Sequence, residues 1–284
     1  MLLMAVGQSG KPVVGAIIQA RMKSERLPGK IVMPLPHPFG KPLLSWIVAS
    51  AQRSTFVSAV TIATSTGAEN DILESLSVKL GVNLFRGSEN DVLSRYTSVS
   101  RVQKLDVVIR LTADNPIVDT RILDEVIERH IRNKNDYTHT TGLPMGMNFE
   151  VVSAPALLSL EKETLTSADQ EHVTLFIRNS SKFKKEEVFF FKDEQWSSLR
   201  LTVDYPSDFA ALSLIFAQLQ PGEFPGLEFI GKIKDISPWM LEVNNANIQK
   251  NPNISYEVEL AQAKAILQKL EFYRAAQKLG DDKT

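Results

Sequence analysis

Four cations, Arg21, Lys23, Arg26 and Lys30, crowd one short stretch whose single acid is Glu25. Arginine offers a planar fork to phosphate oxygens and lysine a point charge, so the set suits a polyanion such as a nucleoside triphosphate. The competing reading is a solvated surface loop. Pro28 and Gly29 favour a shaped loop, because proline fixes one backbone angle and glycine permits close approach or positive φ. Two aspartates add a second kind of chemistry. Asp114 and Asp204 sit in a repeated pattern, Arg-Leu-Thr-x-Asp-x-Pro, at 110–116 and 200–206. Together they could hold Mg²⁺, a hard cation that takes one or two carboxylates plus substrate phosphates and water. Taken singly, each could instead cap the helix that follows, at Thr120 or near Pro206. The repeated context and the basic loop favour the metal pair.

These residues need a scaffold that brings them to one place. The apolar run Val13 to Ile18 reads as a buried strand ending at the basic loop, and ligands of open α/β sheets bind beyond the carboxyl ends of strands. Neither Gly10-Lys11 nor Gly29-Lys30 completes the common phosphate loop, and no Gly-x-Gly-x-x-Gly follows the first strand. Side chains must therefore grip the phosphates. Further strands are expected at Val57 to Thr64, Val82 to Phe85, Val107 to Leu111, Asp136 to His139, Asn148 to Val152, Glu187 to Phe191 and, more briefly, Leu199 to Val203. Helices are expected at Leu43 to Arg53, Glu69 to Leu80 with Gly81 as cap, Val92 onward with Ser88 as cap, Ile122 to Ile131, Pro155 to Leu160 and Asp169 to Arg178. One long amphipathic helix is expected from Tyr256 to Leu279. Strand and helix alternate, which implies parallel strands with crossover helices.

The 284 residues, 43% of them hydrophobic, can fill a sizeable core, and the formal net charge of −1 argues against a nucleic-acid-coating protein. With no cysteine there is no disulfide, thiolate metal site or cysteine nucleophile, so the cytoplasm is the expected compartment. The apolar start Met1 to Val6 is too short for a signal core or a membrane span. His172 has two readings, as a substrate contact or as an ordinary surface histidine. The Phe189-Phe190-Phe191 run reads as core or subunit interface.

Several segments carry a family resemblance: Ile17-Ile18-Gln19-Ala20-Arg21 with Arg26-Leu27-Pro28-Gly29-Lys30, Gly40-Lys41-Pro42-Leu43, Arg86-Gly87-Ser88-Glu89-Asn90-Asp91-Val92-Leu93-x-Arg95, both Arg-Leu-Thr-x-Asp-x-Pro copies, and Glu171-His172-Val173-Thr174. In this order, from about Val13 to Phe216, the chain resembles the cytidylyltransferases that activate acidic sugars, the group of the CMP-Kdo and CMP-sialate synthetases. Within that group it is most similar to the spore-coat polysaccharide SpsF-type branch.

The resemblance implies a three-layer α/β/α fold of the nucleotide-diphospho-sugar transferase kind, GT-A or Rossmann-like, with a mostly parallel central sheet and a small dimerisation insertion. It implies a flexible lead-in over 1–12, a nucleotidyltransferase domain over 13–250 with a substrate and dimerisation region at about 142–191, and a terminal helix over 251–284. Arg21, Arg26 and Lys30 would hold the triphosphate of CTP, and Asp114 and Asp204 would hold Mg²⁺. Backbone at Ile18, Gln19 and Ala20 and the segment with Arg86, Gly87, Ser88 and Asn90 would recognise cytosine. Glu150, Glu171 and His172 are the candidates on the acceptor side. The implied partners are CTP, a small acidic sugar and a second copy of the chain, with neither nucleic acid nor membrane insertion. A nucleotide-sugar-dependent glycosyltransferase of related fold and a non-catalytic nucleotide-binding homologue are the alternatives. The first would want an Asp-x-Asp pair, which the sequence does not show, and the second would lack phosphate or metal residues that are all present.

Overall fold

The alternating apolar runs form one sheet whose four parallel strands end at the same edge. The structure is a computed structural model that describes residues 10–247 and 255–281. Most of the lead-in expected over 1–12 lies outside the described residues, as does 248–254. The strands are β1 (Val14–Gln19), β2 (Pro34–Leu35), β3 (Lys41–Pro42), β4 (Val57–Ser65), β5 (Asn83–Gly87), β6 (Val107–Thr112), β7 (Tyr137–Thr141), β8 (Glu150–Ser153) and β9 (Lys185–Phe189). Seven build the main sheet in the order β5-β4-β1-β6-β8-β7-β9, and β2 with β3 forms a separate two-stranded ribbon. From β5 to β6 all pairings are parallel; β8 runs antiparallel to both β6 and β7, and β9 is parallel to β7.

The helices are α1 (Leu43–Gln52), α2 (Ile72–Leu80), α3 (Val92–Val102), α4 (Thr120–Asn133), α5 (Ala154–Ser159), α6 (Ser167–His172), α7 (Leu175–Asn179), α8 (Glu194–Ser197), α9 (Pro206–Phe216), α10 (Leu227–Ile236), α11 (Tyr256–Lys269) and α12 (Tyr273–Asp281). Side chains alternate along a strand, so β1 feeds two cores. Ala16 and Ile18 join Ile47 of α1, Val126 of α4, Leu212 of α9 and Ile230 of α10 on one face. Ile17 joins Tyr96 of α3, Leu157 of α5 and Ile177 of α7 on the other. The result is a three-layer α/β/α arrangement around a mostly parallel sheet.

Several local expectations need correction. The strand expected to stop at Phe85 runs on through Arg86 and Gly87, and Asp91, not Ser88, caps α3 by accepting from Ser94 N. Leu199 to Val203 joins no sheet; only Arg200 makes an isolated parallel bridge, to Met145. The segment after Ser167 breaks into α6 and α7 at Val173, whose φ is +57°. The expected terminal helix is two helices, parted near Glu271 at φ +63°. Both breaks fall at residues that rarely adopt positive φ, so no local signal announces them. By contact the chain divides into a unit over Met1–Val243, which holds both cores, and a unit over Asn244–Thr284 that contains α11 and α12. No helix among the described residues is long and apolar enough to cross a membrane.

Candidate active site

Beyond the end of β1 the chain turns through the basic stretch and folds back on itself. Gly29, at φ +73°, makes the turn, and its N–H donates to the Met22 carbonyl at 3.0 Å. Met22 N in turn donates to Asn70 Oδ1 at 2.9 Å, which pins the loop beside the end of β4. Lys30 follows and is buried.

Its ammonium is the centre of the cluster. Lys30 Nζ lies 3.3 Å from Asp114 Oδ2 and 3.1 Å from Asp204 Oδ1, and donates to the Val203 carbonyl at 2.6 Å. Arg26 adds a second cation, 3.2 Å from Asp204 Oδ1 and stacked 4.5 Å from the centre of the Tyr205 ring. The two repeated motifs are also joined through backbone, since Val203 N donates to the Asp114 carbonyl at 2.8 Å. Four sequence candidates, Arg26, Lys30, Asp114 and Asp204, thus meet within contact distance. Neither aspartate caps a helix: Asp119 caps α4, and Asp208 closes the first turn of α9.

A pair that the sequence reading passed over holds Asp204 in place. Arg200 Nη2 reaches Asp204 Oδ2 at 3.3 Å, and its Nε and Nη2 bind Asp208 at 2.8 and 3.0 Å. Asp208 also accepts from the N–H groups of Asp204 and Tyr205, both at 2.9 Å. A buried carboxylate that accepts several donors fixes the backbone around it. The available signal was Asp208 two residues after the proline of the second motif.

The remaining nucleotide candidates are spread along the same edge. Ile18 is buried, Gln19 ends β1, and Ala20 N donates to the Ala63 carbonyl at 3.1 Å. Arg21 is exposed and makes no ion pair among the described residues, which leaves it open to an anion. The guanidinium of Arg86 is occupied: it pairs with Asp71 at 2.7 Å and Glu74 at 2.5 Å and donates to the carbonyls of Thr66 and Gly67. Only its backbone remains for a ligand. Ser88 Oγ accepts from Asp91 N at 3.1 Å, and Asn90 lies in an exposed turn.

Next to Asp114 a cavity of about 540 Å³ opens along β6, β7 and β8, with Thr112 and Asn115 on its wall. Glu150 lies on its floor. The carboxylate accepts from Arg110 at 2.6 Å, from the Tyr137 hydroxyl at 2.5 Å and from Thr174 Oγ1 at 2.9 Å, while Arg178 stands 3.9 Å away. Burial works against the Glu150 charge, but Arg110 and these hydrogen bonds together hold its carboxyl below the usual range. Burial, with the Glu150 charge beside it, pushes the Tyr137 phenol up, so that it remains a donor. His139, stacked on Tyr137 at 5.4 Å, is held towards its neutral form by burial. Glu171 and His172 are exposed and do not line this cavity; Thr174 and Arg178, from the same segment, do the reaching.

Among the described residues no group of three or more His, Asp or Glu side chains could alone hold a metal ion. Asp114 and Asp204 nonetheless both face one ammonium, so these are the two carboxylates that would hold a cation at this place. That donor set fits Mg²⁺, which completes its shell with phosphate and water oxygens.

The cytidylyltransferase family model matches residues 15–272. The spore coat polysaccharide biosynthesis protein SpsF of Bacillus subtilis is 38% identical over 216 residues, which is 74% of this chain and 88% of that protein. A 3-deoxy-manno-octulosonate cytidylyltransferase of Psychrobacter is 27% identical over 163 residues, 56% of each chain. The solved structure of a cytidylyltransferase from Leptospira borgpetersenii superposes with a TM-score of 0.74 at 29% identity, covering 84% of this chain and 98% of the other.

Proposed function

Because the chain belongs to the cytidylyltransferase family, we propose that it transfers CMP from CTP to an acidic sugar of the Kdo or nonulosonate kind, with release of pyrophosphate. The product would serve surface polysaccharide or glycolipid assembly; the name of the SpsF relative indicates polysaccharide biosynthesis for that protein. The observation that carries the reading is the meeting of Lys30, Arg26, Asp114 and Asp204 beside the Glu150 cavity.

Phosphoryl chemistry asks a protein mainly for position and for charge that matches the phosphates. Arg21, Arg26 and Lys30 supply that charge along the triphosphate. Asp114 and Asp204 would hold Mg²⁺, which when bound neutralises phosphate oxygens that these cations do not reach. The acceptor lies in the Glu150 cavity, close to the α-phosphate. Its hydroxyl oxygen bonds to the α-phosphorus, the bond to the bridging β-oxygen breaks, and pyrophosphate leaves with the electron pair while the hydroxyl proton passes to solvent. Arg110 and Arg178 outnumber Glu150 as charges in the cavity, which suits an anionic acceptor. Neutral Tyr137 and His139 offer hydrogen bonds to hydroxyl groups. The same reading includes a cytoplasmic homodimer with an interface in 142–191. Gel filtration of a chain lacking 256–284 should then still show a dimer.

The direct test is pyrophosphate release with Mg²⁺ from CTP, ATP, GTP and UTP across a panel of acidic sugars. Release should be confined to CTP and fall on the order of 100- to 1,000-fold in Asp114→Ala and in Asp204→Ala. Equal binding of all four nucleotides would sink the reading.

A further inference from the structure

A guanidinium buried without a carboxylate is unusual, because removing its charge from water costs free energy that only paired donors recover. Arg95 of α3 is such a group. Its surface is 4% exposed. Its Nη1 reaches the Ala63 carbonyl at 3.5 Å, the outer limit of a hydrogen bond, and its Nε is buried with no partner. Among the described residues it makes no ion pair. Burial lowers its pKa and the nearby Arg21 charge adds to that, while Glu89 and Asp91 offset it only in part, so the enclosed charge is incompletely compensated. A buried donor left unsatisfied in this way calls for a partner that arrives from outside.

Its position narrows what that partner is. The Ala63 carbonyl that meets Arg95 also accepts from Ala20 N, so the guanidinium lies beneath the first residue past β1. Gly87, the last residue of β5, lies directly over the side chain, and a Cβ there would stand 2.9 Å from Arg95 Cγ. Arg95 therefore occupies the ends of β4 and β5. The cluster of Lys30 with Asp114 lies towards β6, on the far side of β1. A triphosphate gripped at Lys30 leaves the β4–β5 flank for its base.

We propose that Arg95 selects the cytosine base, its guanidinium fork donating to the adjacent O2 and N3 acceptors. Cytosine presents those two acceptors side by side, which matches the fork, whereas uracil carries a hydrogen at N3 and opposes donor to donor. Ala20 and Gly87 form the walls against which the ring lies, and Gly87 lacks the Cβ that would press on the Arg95 stem. The inference rests on the cytidylyl-transfer reading and adds the residue that enforces it.

The test measures CTP and UTP affinity by calorimetry on the full chain, for the native protein, Arg95→Met and Arg95→Lys, with a thermal melt of each. The native protein should favour CTP. In Arg95→Met that preference should shrink on the order of 10- to 100-fold, the scale of one good bidentate base contact. Its melting temperature should stay or rise, because methionine fills the space without a buried unpaired charge. Arg95→Lys keeps a charge but loses the fork, and should also lose most of the preference. A CTP-to-UTP ratio within twofold of native in both variants overturns the proposal. So does an equal loss of both nucleotides, which would make Arg95 a phosphate contact. A native protein without CTP preference defeats the cytidylyl reading itself and this inference with it.

Discussion

Lys30 keeps its ammonium where two carboxylates and a carbonyl converge, so any metal that binds Asp114 and Asp204 must compete with it. Lys30→Met should therefore do two opposite things. Turnover should fall on the order of 100-fold or more, since a phosphate-neutralising charge is lost. Mn²⁺ affinity without nucleotide, followed by electron paramagnetic resonance, should rise on the order of 10-fold as the competing charge disappears. Unchanged Mn²⁺ affinity would mean that the ammonium and the metal do not share these oxygens. Residue type and a repeated pattern suffice to single out Lys30, Asp114 and Asp204, which the fold brings into contact. Arg86 shows where that method stops: its partners Asp71 and Glu74 sit on another element, so no spacing along the chain reveals that the guanidinium is already engaged. Glu171 and His172 show the same limit, because a break at Val173 decides which residues of their segment turn towards the cavity.

At the scale of elements, α4 carries a buried histidine that the chemistry does not use. His130 Nδ1 lies 2.9 Å from Thr138 Oγ1 on β7, and its Nε2 is buried with no partner. Burial pushes its pKa down to about 4, against the pull of Asp136 and Glu186. The unfolded chain, with an ordinary value near 6.5, binds that proton first, so stability is intact above about pH 6.5 and is lost as pH falls towards 4. The loss should be of order 3 kcal/mol. Urea midpoints at pH 7, 5.5 and 4.5 should show this slope, and His130→Gln should flatten it; an equal slope in the variant would place the acid sensitivity elsewhere. The strands of the parallel quartet were readable because continuous apolar runs fit few other roles. Leu199 to Val203 has a similar composition but makes only an isolated bridge, with Met145, so its apolar residues fill the core without joining the ladder. Sheet membership is a tertiary property that local pattern does not contain.

For the whole molecule, every residue assigned here to nucleotide, acceptor or metal lies between Ile18 and Asp204, inside the unit that ends at Val243. That unit has its own two cores. A chain ending at Val243 should fold, with native-like circular dichroism, and should bind CTP within about threefold of the full protein, a difference below 1 kcal/mol. Loss of CTP binding by a folded truncation would assign the terminal unit a share of the site. One contact within the larger unit has a broader consequence. Met145, in the loop between β7 and β8, exchanges backbone hydrogen bonds with Leu199 and Leu201 at 2.9 and 2.7 Å, a few residues before Asp204. The wall that shapes the acceptor cavity and the strip of chain that carries Asp204 are thus one stitched piece. If the proposed function holds, acceptor choice and turnover are not separable modules for evolution or for a protein engineer: a loop transplanted from a relative to change the acceptor should bring its own 199–204 partner, or it should slow the reaction for every acceptor, old and new.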